Sequence, residues 1–93
     1  MSISSLRAAV TFAAGTPVNF DRVSLYRALV TALGGTPTTF DIISLLRQLV
    51  TMSGGSPTQQ TYVGLLRELI VAKAAVPTAF TINELEAQMA TLI

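Results

Sequence analysis

The 93-residue chain contains no cysteine and no histidine. The first absence removes disulfides and thiolate chemistry and fits any redox compartment. The two together remove the imidazole base and the ordinary zinc-ligand sets, so no metal or cofactor is expected. Charge is scarce as well. Six basic and five acidic residues make up 12% of the chain, against roughly 25% in ordinary soluble domains. With a net charge of +1 and Lys73 as its only lysine, the chain lacks the positive balance of a nucleic-acid-binding surface, and no nucleic-acid partner is expected. Apolar stretches are interrupted by Thr, Ser, Arg or Gly-Gly before reaching the ~18 residues of a membrane span. The start, Met1 to Arg7, has no basic region followed by an apolar one, so no leader is expected. What remains is 51% hydrophobic, too apolar for a disordered chain. Nineteen serines and threonines supply the surface polarity that charges usually provide. The length suits one domain, residues 1–93.

The main signal is an internal repeat. Proline occurs only as Pro17, Pro37, Pro57 and Pro77, a spacing of twenty without slippage. Arg7, Arg27, Arg47 and Arg67 keep the same spacing, with Ala87 in the fifth copy. Leu25, Leu45, Leu65 and Leu85 do so too, and so do Phe20, Phe40 and Phe80, with Gln60 as the exception. Thr11, Thr31, Thr51 and Thr91 share a position with Val71. Small pairs stand at 14–15, 34–35, 54–55 and 74–75.

Each unit carries the signals of one helix. Asp21, Asp41, Thr61 and Thr81 are suited to cap an N-terminus, because a side-chain oxygen there accepts an orphan backbone N–H. Phe20, Phe40 and Phe80 precede three of these caps, and a leucine follows each cap by four residues, which is the spacing of a hydrophobic staple. Gly34-Gly35 and Gly54-Gly55, followed by Thr-Pro or Ser-Pro, terminate the helix. The spacing predicts helices over 3–14, 22–33, 42–53, 62–74 and 82–92. A competing start, with Thr36 as cap and Pro37 in the first turn, is also open.

Ser24, Arg27, Ala28 and Thr31 fall on one narrow stripe, as do Ser44, Arg47, Gln48 and Thr51; nearly every other helical position is apolar. Such helices need cover on about three sides. A 12-residue helix is about 18 Å long, and an extended seven-residue connection reaches about 23 Å, enough to return to the starting end. The expected fold is therefore all-α, a short solenoid of about five single-helix repeats with extended Pro-containing return loops. An antiparallel helical bundle is the alternative. The terminal units depart from the pattern, as terminal repeats do. Glu86 stands where Tyr26, Leu46 and Leu66 stand, which suggests a solvent-facing end. The uncapped first helix, with Ile3, Leu6, Val10 and Phe12, is expected to be covered by a partner or another copy. Met52, Met89 and the phenylalanines read as core.

The Arg7, Arg27, Arg47 and Arg67 series has two readings. It is an interaction stripe that binds phosphate or an acidic partner, or each arginine pairs with a neighbouring cap, Asp21 or Asp41, or with carbonyls of a return loop. The second is favoured. Asp21 and Asp41 are accounted for as caps, and Glu84 and Glu86 do not share a helix face. Serine has no imidazole base, and no phosphate-loop motif occurs. An enzyme is not expected.

Residues 34–51, Gly-Gly-Thr-Pro-Thr-Thr-Phe-Asp-Ile-Ile-Ser-Leu-Leu-Arg-Gln-Leu-Val-Thr, resemble tandem repeats of about twenty residues in proteins encoded by tailed bacteriophages, mostly uncharacterised or virion components. The resemblance covers about 15–93. It is weaker in the fourth unit, where Ala74-Ala75-Val76 replaces Gly-Gly-Thr, and in the fifth, which ends before another turn. It implies a structural role and no catalytic residues. The expectation is a small virion component that docks on capsid, neck or tail proteins or self-associates, found in the virion or in the host cytoplasm before assembly. The alternative is a helical-repeat module that presents its Ser/Arg/Thr stripe to a peptide or polymer. An engineered repeat is the third reading, opposed by the irregular Gln60, Lys73 and Ala75.

Overall fold

The computed structural model describes residues 3–18 and 20–93. They form five α-helices: α1 (Ser4–Phe12), α2 (Arg22–Ala32), α3 (Ile42–Met52), α4 (Tyr62–Ala72) and α5 (Ile82–Leu92). The described residues contain no strand, and no helix among them is long and apolar enough to cross a membrane. The all-α expectation holds.

Four helices start on a capping side chain set in extended backbone. Asp21 accepts the Ser24 N–H at 3.0 Å and Thr61 the Gly64 N–H at 3.0 Å. Thr81 accepts the Glu84 N–H at 3.4 Å. Asp41 takes the Ile43 N–H at 3.4 Å and the Ser44 hydroxyl at 3.1 Å. The competing start at Thr36-Pro37 is not adopted. α1 has no side-chain cap; Ile3 precedes it.

α1 to α4 end with the same pair of bonds. In α2 the Gly35 N–H reaches back to the Val30 carbonyl at 2.9 Å and the Gly34 N–H to the Thr31 carbonyl at 3.1 Å, the Schellman pattern. The residue at the turn must take a positive φ: +97° at Gly34 and +92° at Gly54, but also +68° at Ala14 and +64° at Ala74. An L-residue pays a steric cost there that glycine does not. Ala74→Gly is therefore expected to raise the unfolding free energy by about 0.5–1 kcal/mol, read as a higher urea midpoint.

The buried positions recur as a motif. Leu25, Tyr26, Leu29 and Val30 of α2 are inaccessible, and so are the equivalent four residues of α3, α4 and α5, while α1 contributes Leu6, Ala9 and Val10. Each helix packs on its sequence neighbours, and α1 also packs on α5, so the row of five closes on itself. Neighbouring C-terminal ends lie side by side: a Cβ placed on Gly15 would stand 3.0 Å from that of Ala32, and one on Gly55 would stand 3.0 Å from that of Ala72. Successive helices thus point the same way, and each linking segment travels the helix length along the outside. The result measures 29 × 25 × 20 Å.

Closure corrects two expectations about the ends. α5 packs on the first helix, whose Leu6 and Val10 are fully buried within the chain itself, while Phe12 stays exposed. Glu86 is not on a solvent-facing end; it is 0% exposed. An open row has two bare flanks, and joining α5 to α1 removes both. A third correction concerns the aromatics. Met89 is core, but Phe12, Phe20, Phe40 and Phe80 are 62–77% exposed and Met52 is 36% exposed.

Candidate functional site

The registered arginines hold the linking segments. Arg27 donates to the Thr39 carbonyl, Arg67 to the Ala79 carbonyl, and Arg47 to the Gln59 carbonyl at 2.9 Å. Arg7 donates to the Pro17 carbonyl at 3.2 Å. Three of the guanidiniums also lie over a phenylalanine ring, 4.2 Å from the centroid for Arg7 on Phe20 and 4.0 Å for Arg27 on Phe40 and Arg67 on Phe80. The exposed phenylalanines therefore act as stacking platforms and not as buried staples; Leu25, Leu45 and Leu85 point inward, away from them. Gln48, Glu68 and Gln88 grip the same segments from the following helix. Gln48 donates to the Thr36 carbonyl at 2.9 Å and Gln88 to the Val76 carbonyl at 2.7 Å. Glu68 accepts the N–H groups of Thr58 and Gln59.

This arrangement gives an internal comparison. Arg27→Gln removes a charge-assisted hydrogen bond and a cation–π contact, whereas Arg47→Gln removes the bond and an exposed Coulombic attraction to Glu68 but no ring contact, since Gln60 stands where a ring would be. The first is expected to cost about 1–2 kcal/mol and the second about 0.5–1 kcal/mol less than that, measured by chemical denaturation of each variant.

The polar group missed by sequence reasoning lies inside. Glu86 of α5 receives Arg22 and Tyr26 from α2 and Tyr62 from α4. The Arg22 Nη2 is 3.1 Å from Oε1, and its Nε is 3.3 Å from Oε2. Both phenols donate to Oε2 at 2.6 Å. Their oxygens are 3.2 Å apart and their rings meet edge to face at 6.1 Å. Arg22 Nη2 also donates to Asn83 Oδ1 at 3.0 Å. The backbones of α2 and α5 are not neighbours in the ring, and neither are those of α2 and α4, so the cluster braces the structure across its middle. Arg22 is out of register with the other arginines, so the repeat does not single it out. The signal was available: Arg22 and Tyr62 stand where Ile42 and Ile82 stand, Tyr26 and Glu86 where Leu46 and Leu66 stand.

Burial raises Tyr26 well above the ordinary phenol value of 10, and the Glu86 charge adds to this. Tyr62 is raised too, first by burial and then by its bond to Glu86. The bond to Glu86 likewise raises Arg22. A phenol whose folded pKa exceeds its unfolded one contributes stability that is complete below the unfolded value and is lost as pH rises toward the folded one. Stability should accordingly decline above about pH 10. Urea midpoints taken across the alkaline range check this, and Tyr26→Phe with Tyr62→Phe should flatten the decline.

Compared with known proteins, the chain has no match among family models, curated proteins or solved structures.

Proposed function

We propose that the protein is a non-catalytic assembly component, a small virion protein that docks on other virion proteins or on copies of itself. The observation that carries this reading is the outer surface. Phe12, Val18, Phe20, Phe40, Val71, Val76 and Phe80 are each more than half exposed, on a chain with few charges to keep apolar surfaces apart. Apolar area left on the outside of a fold whose core is already complete supports this reading where it gathers into a patch that a partner covers. The resemblance of residues 34–51 to bacteriophage repeats supports the virion as the place, with the host cytoplasm before assembly. The reading invokes no cofactor and no nucleic acid.

The test is mass spectrometry of purified particles of the virus that encodes the chain. Recovery of its peptides at a fixed ratio to the major capsid protein is the expected result. Their absence from intact particles, with the protein present in infected cells, would overturn the reading.

The second reading, a binding module for a peptide or polymer, is favoured by one feature. A groove of about 490 Å³ lies over the outer face of α4, lined by Val50, Gly55, Gln59, Arg67, Val71 and Pro77 among others. It lies within the size range of ligand sites. Specific capture of a non-self peptide, lost on substitution of Gln59, would support it.

A further inference from the structure

The flanks of the five helices are close to interchangeable. Leu25, Leu45, Leu65 and Leu85 recur at one buried position, Leu29, Leu49 and Leu69 at a second, and Val10, Val30 and Val50 at a third. The remaining units place Ala9 or Met89 at the second and Ile70 or Ala90 at the third, which are apolar too. α5 closes on α1 with residues of this same set. Apolar packing of this kind does not specify which helix fills which place. A helix of a second copy can stand in a slot of the ring, and rings that borrow helices from one another grow into oligomers.

One inner layer breaks the equivalence. Leu6, Tyr26, Leu46, Leu66 and Glu86 hold the same place in the five units, and all are 0% exposed. Tyr26 and Glu86 are the two that are not leucine, and they bond to each other at 2.6 Å. Arg22 and Tyr62 complete the set around the same carboxylate, at 3.1 and 2.6 Å. The polar groups thus come from α2, α4 and α5, while α1 and α3 bring only Leu6 and Leu46 to the layer. With α1 or α3 of another copy in the α5 slot, Arg22 and the two phenols would face a leucine. The displaced Glu86 would stand among leucines in a different ring. Each misplacement leaves buried polar groups without partners.

We infer that the Arg22, Tyr26, Tyr62 and Glu86 cluster is a slot key: it assigns α5 to its place between α4 and α1 and so keeps the ring to the right five helices. The apolar layers supply the stability of the ring, and the cluster decides which helix goes where. A single buried polar residue fixes the register of a coiled coil in the same way. Exchange of α5 between two copies puts it in the right slot and rebuilds the cluster, so that route is equally open with or without the key. The inference concerns the assembly of the fold itself and does not rest on the proposed function.

Tyr26→Leu combined with Glu86→Leu tests the inference. Both side chains are buried, so the double variant completes a layer of five leucines and leaves the outer surface as it is. The full chain is refolded from urea at concentrations up to about 1 mM, the effective concentration of a short linker. Sedimentation and light scattering then give the mass, and helical circular dichroism reports folding. The wild type sets the baseline for any association through the outer surface. The double variant should form discrete, helical multiples of the chain mass, with an association constant at least about tenfold above the wild type. If it loses its helices, Glu86→Gln takes its place; that change keeps the shape and removes the charge, and about threefold tighter association is expected. Leu49→Ala weakens the core outside the cluster and should leave association within about twofold of the wild type. Two results overturn the inference. One is a cluster variant that associates no more than the wild type. The other is Leu49→Ala associating as strongly as the cluster variant, since association would then follow lost stability and not the lost key.

Discussion

Glu86→Leu should lower the unfolding free energy by about 3 kcal/mol, although leucine is the residue that Leu46 and Leu66 place at the same position. The substitution leaves the Tyr26 and Tyr62 hydroxyls with only each other to bond, so at least one buried donor loses its acceptor, and it takes the Glu86 charge away from Arg22. Orphaning a buried donor costs about 1–3 kcal/mol. Removing one member of a buried ion pair costs about 3–5 kcal/mol. The lower end applies because the Arg22 side chain is 17% exposed and can turn toward water. The loss is a large share of the 5–15 kcal/mol typical of a domain. Restoring the whole pattern with Arg22→Ile, Tyr26→Leu, Tyr62→Ile and Glu86→Leu removes all the polar groups together. That variant should lie within about 1–2 kcal/mol of the wild type, because a buried polar cluster and a well-packed apolar one are close in free energy. Urea denaturation with a constant m-value checks both. An unchanged midpoint for Glu86→Leu would mean that the carboxylate is hydrated in solution and that the cross-brace is not formed.

Leu49→Ala is expected to cost about 3–4 kcal/mol, in the upper part of the range for a buried leucine. Leu49 is 1% exposed, and its helix is held on one flank by α2 and on the other by α4. Filling the cavity needs a neighbour to move inward. In a closed ring each helix that moves toward the gap must part from the next one, so collapse is opposed and most of the void persists. Thermal or urea unfolding reads the loss directly. A cost near 1 kcal/mol would show that the ring contracts freely.

Much of the architecture is written in the local sequence. The caps at Asp21, Asp41, Thr61 and Thr81 act within three residues of themselves, and the turns at Gly34 and Gly54 within five. A twenty-residue period places such short-range signals without any knowledge of the whole fold. The arginine-to-carbonyl contacts belong to the same class. Each spans about half a repeat, and the period makes all of them equivalent, so the structural reading of the arginines could be favoured in advance.

Contacts that join distant units were not legible in that way. Whether α5 meets α1 or ends the row depends on the small rotation between successive units, summed over five of them, and no single unit encodes that sum. Glu86, read alone, is a charge on a helix and suggests solvent. Its burial follows only once the ring closes and brings Arg22, Tyr26 and Tyr62 within reach. The phenylalanines reversed in the other direction: their spacing suits a staple, but the inward space was already filled by leucine, so the rings stayed outside and took the arginines. Repeat, helix count and helix ends thus come from interactions a few residues long, whereas closure, the buried cluster and the distribution of apolar surface come from interactions between units twenty to sixty residues apart.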